Sequence, residues 1–249
     1  MKLLFIRHGD PDYVHDSLTE KGFREANALA AYMQGRHIDS IYCSPYGRAK
    51  ATAKPSLEVL HQTMEVREFL HEFDAPVEDP VTGEKSIPWD YFPAEWTRDS
   101  RNLDIDSWWE SDLYQGQQVE KGYHWVCSNL DELLAQHGYV RKDRYYLAER
   151  PNHDTIALFC HFGVTCVMLS HLLNISPIVL LHAAFIAPTS ITVLETEERE
   201  NGIAQFRLRS LGATPHLMLA GEPTSASGFF REVYTDPADR RDIFPEHWG

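Results

Sequence analysis

Three apolar runs in the chain each lead into residues that can handle a phosphoryl group. Leu3-Leu4-Phe5-Ile6 runs into Arg7-His8-Gly9, and Thr155-Ile-Ala-Leu-Phe-Cys160 runs into His161-Phe162-Gly163. Between them, Ile38 to Cys43 breaks at Ser44-Pro45, and Arg48 opens the next segment. Short apolar runs of this kind read as strands of a covered parallel sheet, and ligands collect outside the carboxyl ends of such strands. An imidazole there suits nucleophilic attack on phosphorus, and a guanidinium beside it suits phosphate oxygens. A single histidine at a strand end is commonly a hydrogen-bonded structural residue. Two strands with the same ending, and an arginine after a third, favour one shared rim carrying two histidines and two arginines.

The segments between these strands alternate as in a layered α/β domain. Phe23, Ala26, Leu29, Ala30 and Met33 recur at helical spacing behind Thr19, or behind Ser17 with Glu20 as a capping box. Further helices are expected over 45–61, over 118–136 and from Val164 to about Asn174, and a strand over 64–69. Ser190–Glu195 and Ala204–Leu211 alternate as strands around the hairpin signal Asn201-Gly202. The expected fold is α/β, a three-layer sandwich with a mostly parallel central sheet and helices on both faces, forming one domain over 1–249.

Asp74 to Ser107 breaks this pattern with five Pro or Gly residues and little periodicity. It is rich in aromatics (Trp89, Tyr91, Phe92, Trp96), and Trp108 and Trp109 follow. Long irregular segments in a compact domain are functional or disordered, and aromatic content argues for order. An inserted cap over about 74–117 is therefore expected. Most of its aromatics should pack the cap onto the sheet, and any left over would favour a substrate with an apolar or ring-bearing leaving group.

These stretches resemble the histidine phosphatase superfamily, the phosphoglycerate-mutase-like proteins, from Lys2 to about Leu211. Leu4-Phe-Ile-Arg-His-Gly9 is similar to the nucleophile motif, and Leu18-Thr-Glu-Lys-Gly22 to the helix start that follows it. Ser44-Pro-Tyr-Gly-Arg-Ala-Lys-Ala-Thr52 resembles the second arginine motif, and Cys160-His-Phe-Gly163 the second histidine motif, with Phe162 where a Gly is commoner. The resemblance implies a phosphatase-branch, histidine-acid-phosphatase-like phosphoric monoester hydrolase that acts on a small phosphate ester through a phosphohistidine, without metal or cofactor. His8 would attack phosphorus, and Arg7, Arg48 and Gly9 would hold the phosphate. His161 would donate to a phosphoryl oxygen, helped by amides of the helix after Gly163. The leaving oxygen needs a proton, and the family's donor follows the third strand in a Leu-x-Glu context, matched by Leu70-His71-Glu72. Glu72 is the expected acid, with Asp74 and Glu68 as rivals. His216, in Thr214-Pro-His-Leu217, resembles a tail segment bordering the family's pocket and joins the expected substrate-binding residues.

Two other readings compete. Cofactor-dependent phosphoglycerate mutases resemble Arg-His-Gly-Glu-Ser-x-Trp-Asn at the first motif. This chain has Arg7-His-Gly-Asp-Pro-Asp-Tyr-Val14 and no adjacent Arg pair in its cap, where Arg98 and Arg101 are the nearest cations. A noncatalytic member binding a protein partner would have no physical need of both histidines and both arginines together.

Composition narrows the setting. With 23 Lys and Arg against 37 Asp and Glu, the net charge is −14, which repels nucleic acid and anionic membranes. A phosphate site must therefore be a local positive pocket. Cysteines at 43, 127, 160 and 166 have no Cys-x-x-Cys spacing and read as free thiols in a reducing compartment. No charged leader or long apolar run is present in the sequence, so a cytoplasmic protein is expected, and the Asn174-Ile-Ser176 sequon is incidental. The remaining histidines show no metal-ligand spacing, and no metal site is expected.

Overall fold

The computed structural model describes residues 1–78 and 83–229. The chain opens with β1 (Lys2–Arg7), the small hairpin β2 (Pro11–Asp12) and β3 (Ser17–Leu18), and α1 (Glu20–Met33). It continues through β4 (Ser40–Cys43), α2 (Gly47–Leu60) and β5 (Glu65–Val66). The cap region holds the paired β6 (Val77–Glu78) and β7 (Lys85–Ser86) and the one-turn α3 (Pro93–Trp96). Then follow α4 (Val119–Gln136), β8 (Tyr139–Lys142), β9 (Tyr145–Ala148), β10 (Thr155–Cys160), α5 (Phe162–Leu173) and α6 (Pro177–Ala183). The long hairpin β11 (Ile191–Glu200) and β12 (Ile203–Ala213) and the short α7 (Pro215–Ala220) complete the described elements.

Eight of these strands form the central sheet in the order β5, β4, β10, β1, β11, β12, β9, β8. The half that carries the motifs, β5 to β1, is parallel; from β11 outward the pairs are antiparallel. β1 is apolar at every interior position because both its faces are covered. Leu3 and Phe5 enter one core with Leu130 of α4 and Val167 of α5, while Leu4 and Ile6 enter another with Leu29 of α1 and Ala53 of α2. Each of these leucine, isoleucine, valine and phenylalanine side chains removed from water stabilises the fold by about 1.5–3 kcal/mol. This is the three-layer α/β arrangement expected from the alternation of elements.

Local chemistry decided several boundaries. Thr19 caps α1 by accepting from the Gly22 N–H, so the Thr19 alternative is the one used and the Ser17–Glu20 box is not. The strand expected over 64–69 is shorter: β5 ends at Val66, and Glu68–Leu70 form a 3₁₀ turn. Phe69 and Leu70 are both buried, and a strand would send consecutive side chains to opposite faces. The β11–β12 hairpin outruns its expected ends and turns at Gly202, where φ is +77°. The β8–β9 hairpin was not foreseen, because its turn uses Asp143 at φ +52° in place of glycine. Nor were α6 and α7, each begun by a proline in its first turn.

The described part of the cap is mostly irregular, and its buried aromatics join the same core as Leu3 and Phe5 of the sheet. Trp108 packs edge-on against Tyr114 at 5.2 Å, and Tyr114 against Tyr91 at 5.4 Å; all three are buried. Trp96 stacks on His182, and Phe92 faces solvent. Residues 79–82 of the expected cap and 230–249 of the expected domain lie outside the described residues.

Candidate active site

Strand register brings the motifs together. In the parallel ladder Arg7 of β1 is level with Cys160 of β10, and Phe159 of β10 is level with Cys43 of β4. The residues just past those pairs, His8, His161 and Ser44, therefore leave the sheet side by side. The His8 N–H donates to the Cys160 carbonyl at 3.0 Å and the Ser44 N–H to that of Phe159 at 2.8 Å, which extends the ladder to the rim. The two imidazole centroids are 5.1 Å apart and both rings are buried.

The His8 ring has a defined proton arrangement. His8 Nδ1 lies 2.7 Å from the Gly9 carbonyl, which can only accept, so Nδ1 carries the hydrogen and Nε2 the lone pair. Burial pushes its pKa well below the usual histidine value, and Arg7 and Arg48 push the same way, so the ring is neutral. The Tyr46 N–H donates to Ser44 Oγ at 3.2 Å, and the same Oγ is hydrogen-bonded to His161 Nε2 at 2.7 Å. His161 Nδ1 is buried with no hydrogen-bond partner among the described residues. Burial, followed by His8, Arg48 and Arg7, also keeps His161 well below the usual value and neutral.

The arginines are held from behind. Arg7 donates through Nη1 to the Ile186 carbonyl at 2.7 Å and to that of Ser227 at 3.3 Å. Arg48 donates to Asp16 Oδ1 at 2.8 Å, and Asp16 Oδ2 accepts from the Gly47 N–H at 2.5 Å. One carboxylate thus orients the guanidinium and caps α2, whose own N-cap residue, Tyr46, makes no side-chain cap bond. The Nε atoms of Arg7 and Arg48 are buried without a partner among the described residues.

Glu72 lies across the same rim. Its Oε1 accepts from Phe73 N–H at 2.8 Å and from Val164 N–H, in the first turn of α5, at 3.0 Å. Burial raises its pKa above the usual carboxylate value against the pull of those amides and of Arg7 and Arg48. The expected amide donation to phosphate at this helix is thus directed, at Val164, to the acid. Gly163 is required here: a Cβ would stand 2.7 Å from Trp89 Cη2 and 2.9 Å from Glu72 Oε1. Trp89 is the cap residue that reaches the site, lying edge-on to Phe162 at 5.6 Å. The rivals Asp74 and Glu68 are both exposed.

The family model of the histidine phosphatase superfamily (branch 1) matches residues 3–208. The chain belongs to this superfamily. Among solved structures it resembles a mutant phosphoserine phosphatase from Entamoeba histolytica in complex with phosphoserine, with a TM-score of 0.58 and 20% identity over 87% of this chain and 98% of that one. Mycobacterial glucosyl-3-phosphoglycerate phosphatase is similar at a TM-score of 0.57 and 22% identity, over 85% and 98% respectively. These likenesses are of fold. No curated protein matches the chain.

In this histidine phosphatase superfamily member the structure brings Arg7, His8, Gly9, Arg48, Glu72 and His161 to one rim and sets His216 behind it. The His216 ring is buried, and its Nε2 pairs with Thr189 Oγ1 at 3.0 Å, while the Thr189 N–H donates to the His8 carbonyl at 3.1 Å. His216 therefore supports the backbone of His8 from one residue away; its hydrogen bond does not reach the rim as expected. Three contributors were not foreseen. Asp16 is one, and the absence of a capping side chain before α2 was its only sequence signal. Tyr13 is the second, with its ring 5.5 Å from the Arg48 guanidinium carbon. The third is the segment after α7, where Ser227 meets Arg7 and the Ser225 hydroxyl donates to Asp10.

Proposed function

We propose that this protein is a metal-independent phosphomonoesterase that hydrolyses a small phosphate ester through a phosphohistidine on His8. The observation that carries the reading is the His8 tautomer, held by Gly9 with the Nε2 lone pair free on a neutral, buried ring. In the first step Nε2 bonds to phosphorus, the ester P–O bond breaks and the leaving oxygen takes the Glu72 proton. In the second step water bonds to phosphorus, its proton passes to the Glu72 carboxylate and the P–N bond breaks, releasing phosphate and neutral His8. Arg7 and Arg48 offset charge on the equatorial oxygens, and His161 donates to one of them.

Hydrolysis is favoured over phosphoglycerate mutation by the state of Arg101 in the cap. Arg101 is engaged by Asp99, Asp112 and the Glu110 carbonyl, which leaves it committed to its own loop. Val14, where mutases carry Asn, is exposed and apolar. Both solved neighbours named above are phosphatases, which supports the same reaction class. Four free, buried cysteines support a reducing, cytoplasmic setting, and among the described residues no helix is long and apolar enough to cross a membrane. Rapid quench with ³²P-labelled phenyl phosphate tests the reading. An acid-labile, base-stable phosphoenzyme that His8→Ala does not form is expected, and near-normal turnover by His8→Ala would refute it.

A further inference from the structure

Phosphoryl transfer as derived above leaves one buried carboxylate without a role. The side chain of Glu25, on α1, is fully buried, yet it belongs neither to the phosphate pocket nor to the proton path. Burying a carboxylate is costly unless it is paired and hydrogen-bonded. Glu25 Oε2 accepts from the Asp10 N–H at 2.9 Å, and Oε1 lies 3.3 Å from Lys21 Nζ. The Asp10 N–H is one end of a peptide unit whose other end is the Gly9 carbonyl, the group that accepts from His8 Nδ1 at 2.7 Å. A single peptide unit therefore stands between the His8 imidazole and the Glu25 carboxylate.

The packing of α1 makes this approach possible. Glu25 follows Gly22 by three positions, so both lie on one face of the helix. A Cβ on Gly22 would run into the Asp10 carbonyl oxygen and stand 3.0 Å from the Asp10 nitrogen, and one on Gly9 would stand 2.9 Å from the Gly22 carbonyl oxygen. The two glycines let α1 close on the turn after β1, which brings Glu25 within reach of Asp10. The preceding peptide is tied down separately. The Gly9 N–H donates to Thr52 Oγ1 at 2.8 Å, and the His8 carbonyl accepts from the Thr189 N–H at 3.1 Å. Those two bonds fix the backbone beside His8, whereas the Glu25 bond acts on the peptide whose carbonyl selects the ring's tautomer.

Resting on the phosphohistidine reading above, we propose that Glu25 is a positioning residue for His8 and acts on it through the Gly9–Asp10 peptide. A carboxylate drawing on the Asp10 N–H shifts electron density onto the Gly9 oxygen, because hydrogen bonds in a chain polarise one another. The stronger acceptor holds the hydrogen on Nδ1 and enriches the Nε2 lone pair that attacks phosphorus. Carboxylates commonly orient a histidine by direct contact and raise its basicity; here a peptide unit is interposed. Burial raises the Glu25 pKa, and the Asp10 amide and Lys21 oppose that rise and favour the anion.

The test reads His8 directly in the free protein. Long-range ¹H–¹⁵N spectra of histidine-labelled protein, with the His8 signals identified by their loss in His8→Gln, should show hydrogen on Nδ1 and a lone pair on Nε2. Glu25→Gln keeps an acceptor for the Asp10 N–H and removes the charge. It is expected to move the His8 Nδ1–H proton resonance upfield. It should also slow single-turnover phosphoenzyme formation from phenyl phosphate about fivefold, the difference between a charged and a neutral hydrogen bond, with binding of inorganic phosphate unchanged. Glu25→Met removes the acceptor as well, and a mixture of His8 tautomers with a loss of about ten- to hundredfold is expected. A Glu25→Gln resonance at the parent position overturns the proposal, and that variant decides alone if Glu25→Met does not fold. Lower thermal stability with parent His8 spectra in both variants marks an ordinary structural role and overturns it equally. If no phosphate ester is hydrolysed by the parent, the phosphatase reading fails by itself, and the His8 spectra still decide the link to Glu25.

Discussion

Replacing Glu72 with Gln separates its role in proton donation from its role in the fold. Oε1 accepts from Phe73 and Val164, and a glutamine carbonyl can accept both bonds at the same place. The variant therefore keeps the link between the loop and α5 and loses the transferable proton. General acid catalysis contributes on the order of 10²–10⁴ in rate, so an alkyl phosphate, whose leaving alkoxide must be protonated, should lose about a thousandfold in kcat/KM, or about 4 kcal/mol. With 4-nitrophenyl phosphate the leaving group departs as a stable anion, and the loss should be tenfold or less. The pH profile carries a second signature. Burial raises the Glu72 pKa, so the acid form persists above the usual carboxylate range and kcat/KM for the alkyl ester falls as pH rises through that raised value. Glu72→Gln should abolish this descending limb. Steady-state kinetics on both esters between pH 4.5 and 8.5 make the comparison. Equal losses on the two esters, or a descending limb that survives the substitution, would refute Glu72 as the proton donor.

Arg48→Lys replaces a fork that both meets Asp16 and offers further donors with a point charge, and should cost about a hundredfold in kcat; less than a tenfold loss in steady-state assays would count against its phosphate role. Turnover of phenyl phosphate should be unchanged by EDTA, since positive charge comes from Arg7 and Arg48, and activity lost in chelator but restored by one divalent ion would overturn the metal-independent mechanism. His216 is held by burial at a pKa of about 4 against an ordinary 6.5, so between these values the unfolded chain binds more protons. Stability should therefore fall as pH drops through that window, by up to ~3 kcal/mol from this residue. Urea midpoints at pH 7 and pH 5 should differ less in His216→Gln than in the parent, and an identical pH difference would remove the argument.

Local patterns along the chain determined the strands that end in Arg7-His8 and in His161. A strand covered on both faces needs consecutive apolar residues, and that requirement is written in neighbouring positions: Leu3 to Ile6 and Ile156 to Cys160. The Thr19 cap and the Gly202 turn are equally local. The strand expected over 64–69 misled because β propensity near Val66 says nothing about whether Phe69 and Leu70 must both face inward, which is decided by what packs above them. Family resemblance pointed to Glu72; its raised pKa depends on burial that outweighs the opposing pull of amides from two separate segments.

Tertiary structure alone decided the rest of the rim. Asp16 and Arg48 are 32 positions apart, and nothing near Asp16 marks it as the cap of α2. His216 stands behind Thr189 because α7 packs on α1, a contact between elements distant in sequence. The cap's aromatic content was visible, but which rings it buries and which one reaches Gly163 follow from how the loop closes on itself. Periodicity and capping are set by residues within about one turn of each other and so are legible along the chain. Which distant side chains meet at the rim depends on sheet order and loop closure, and these are set by the packing of the whole core.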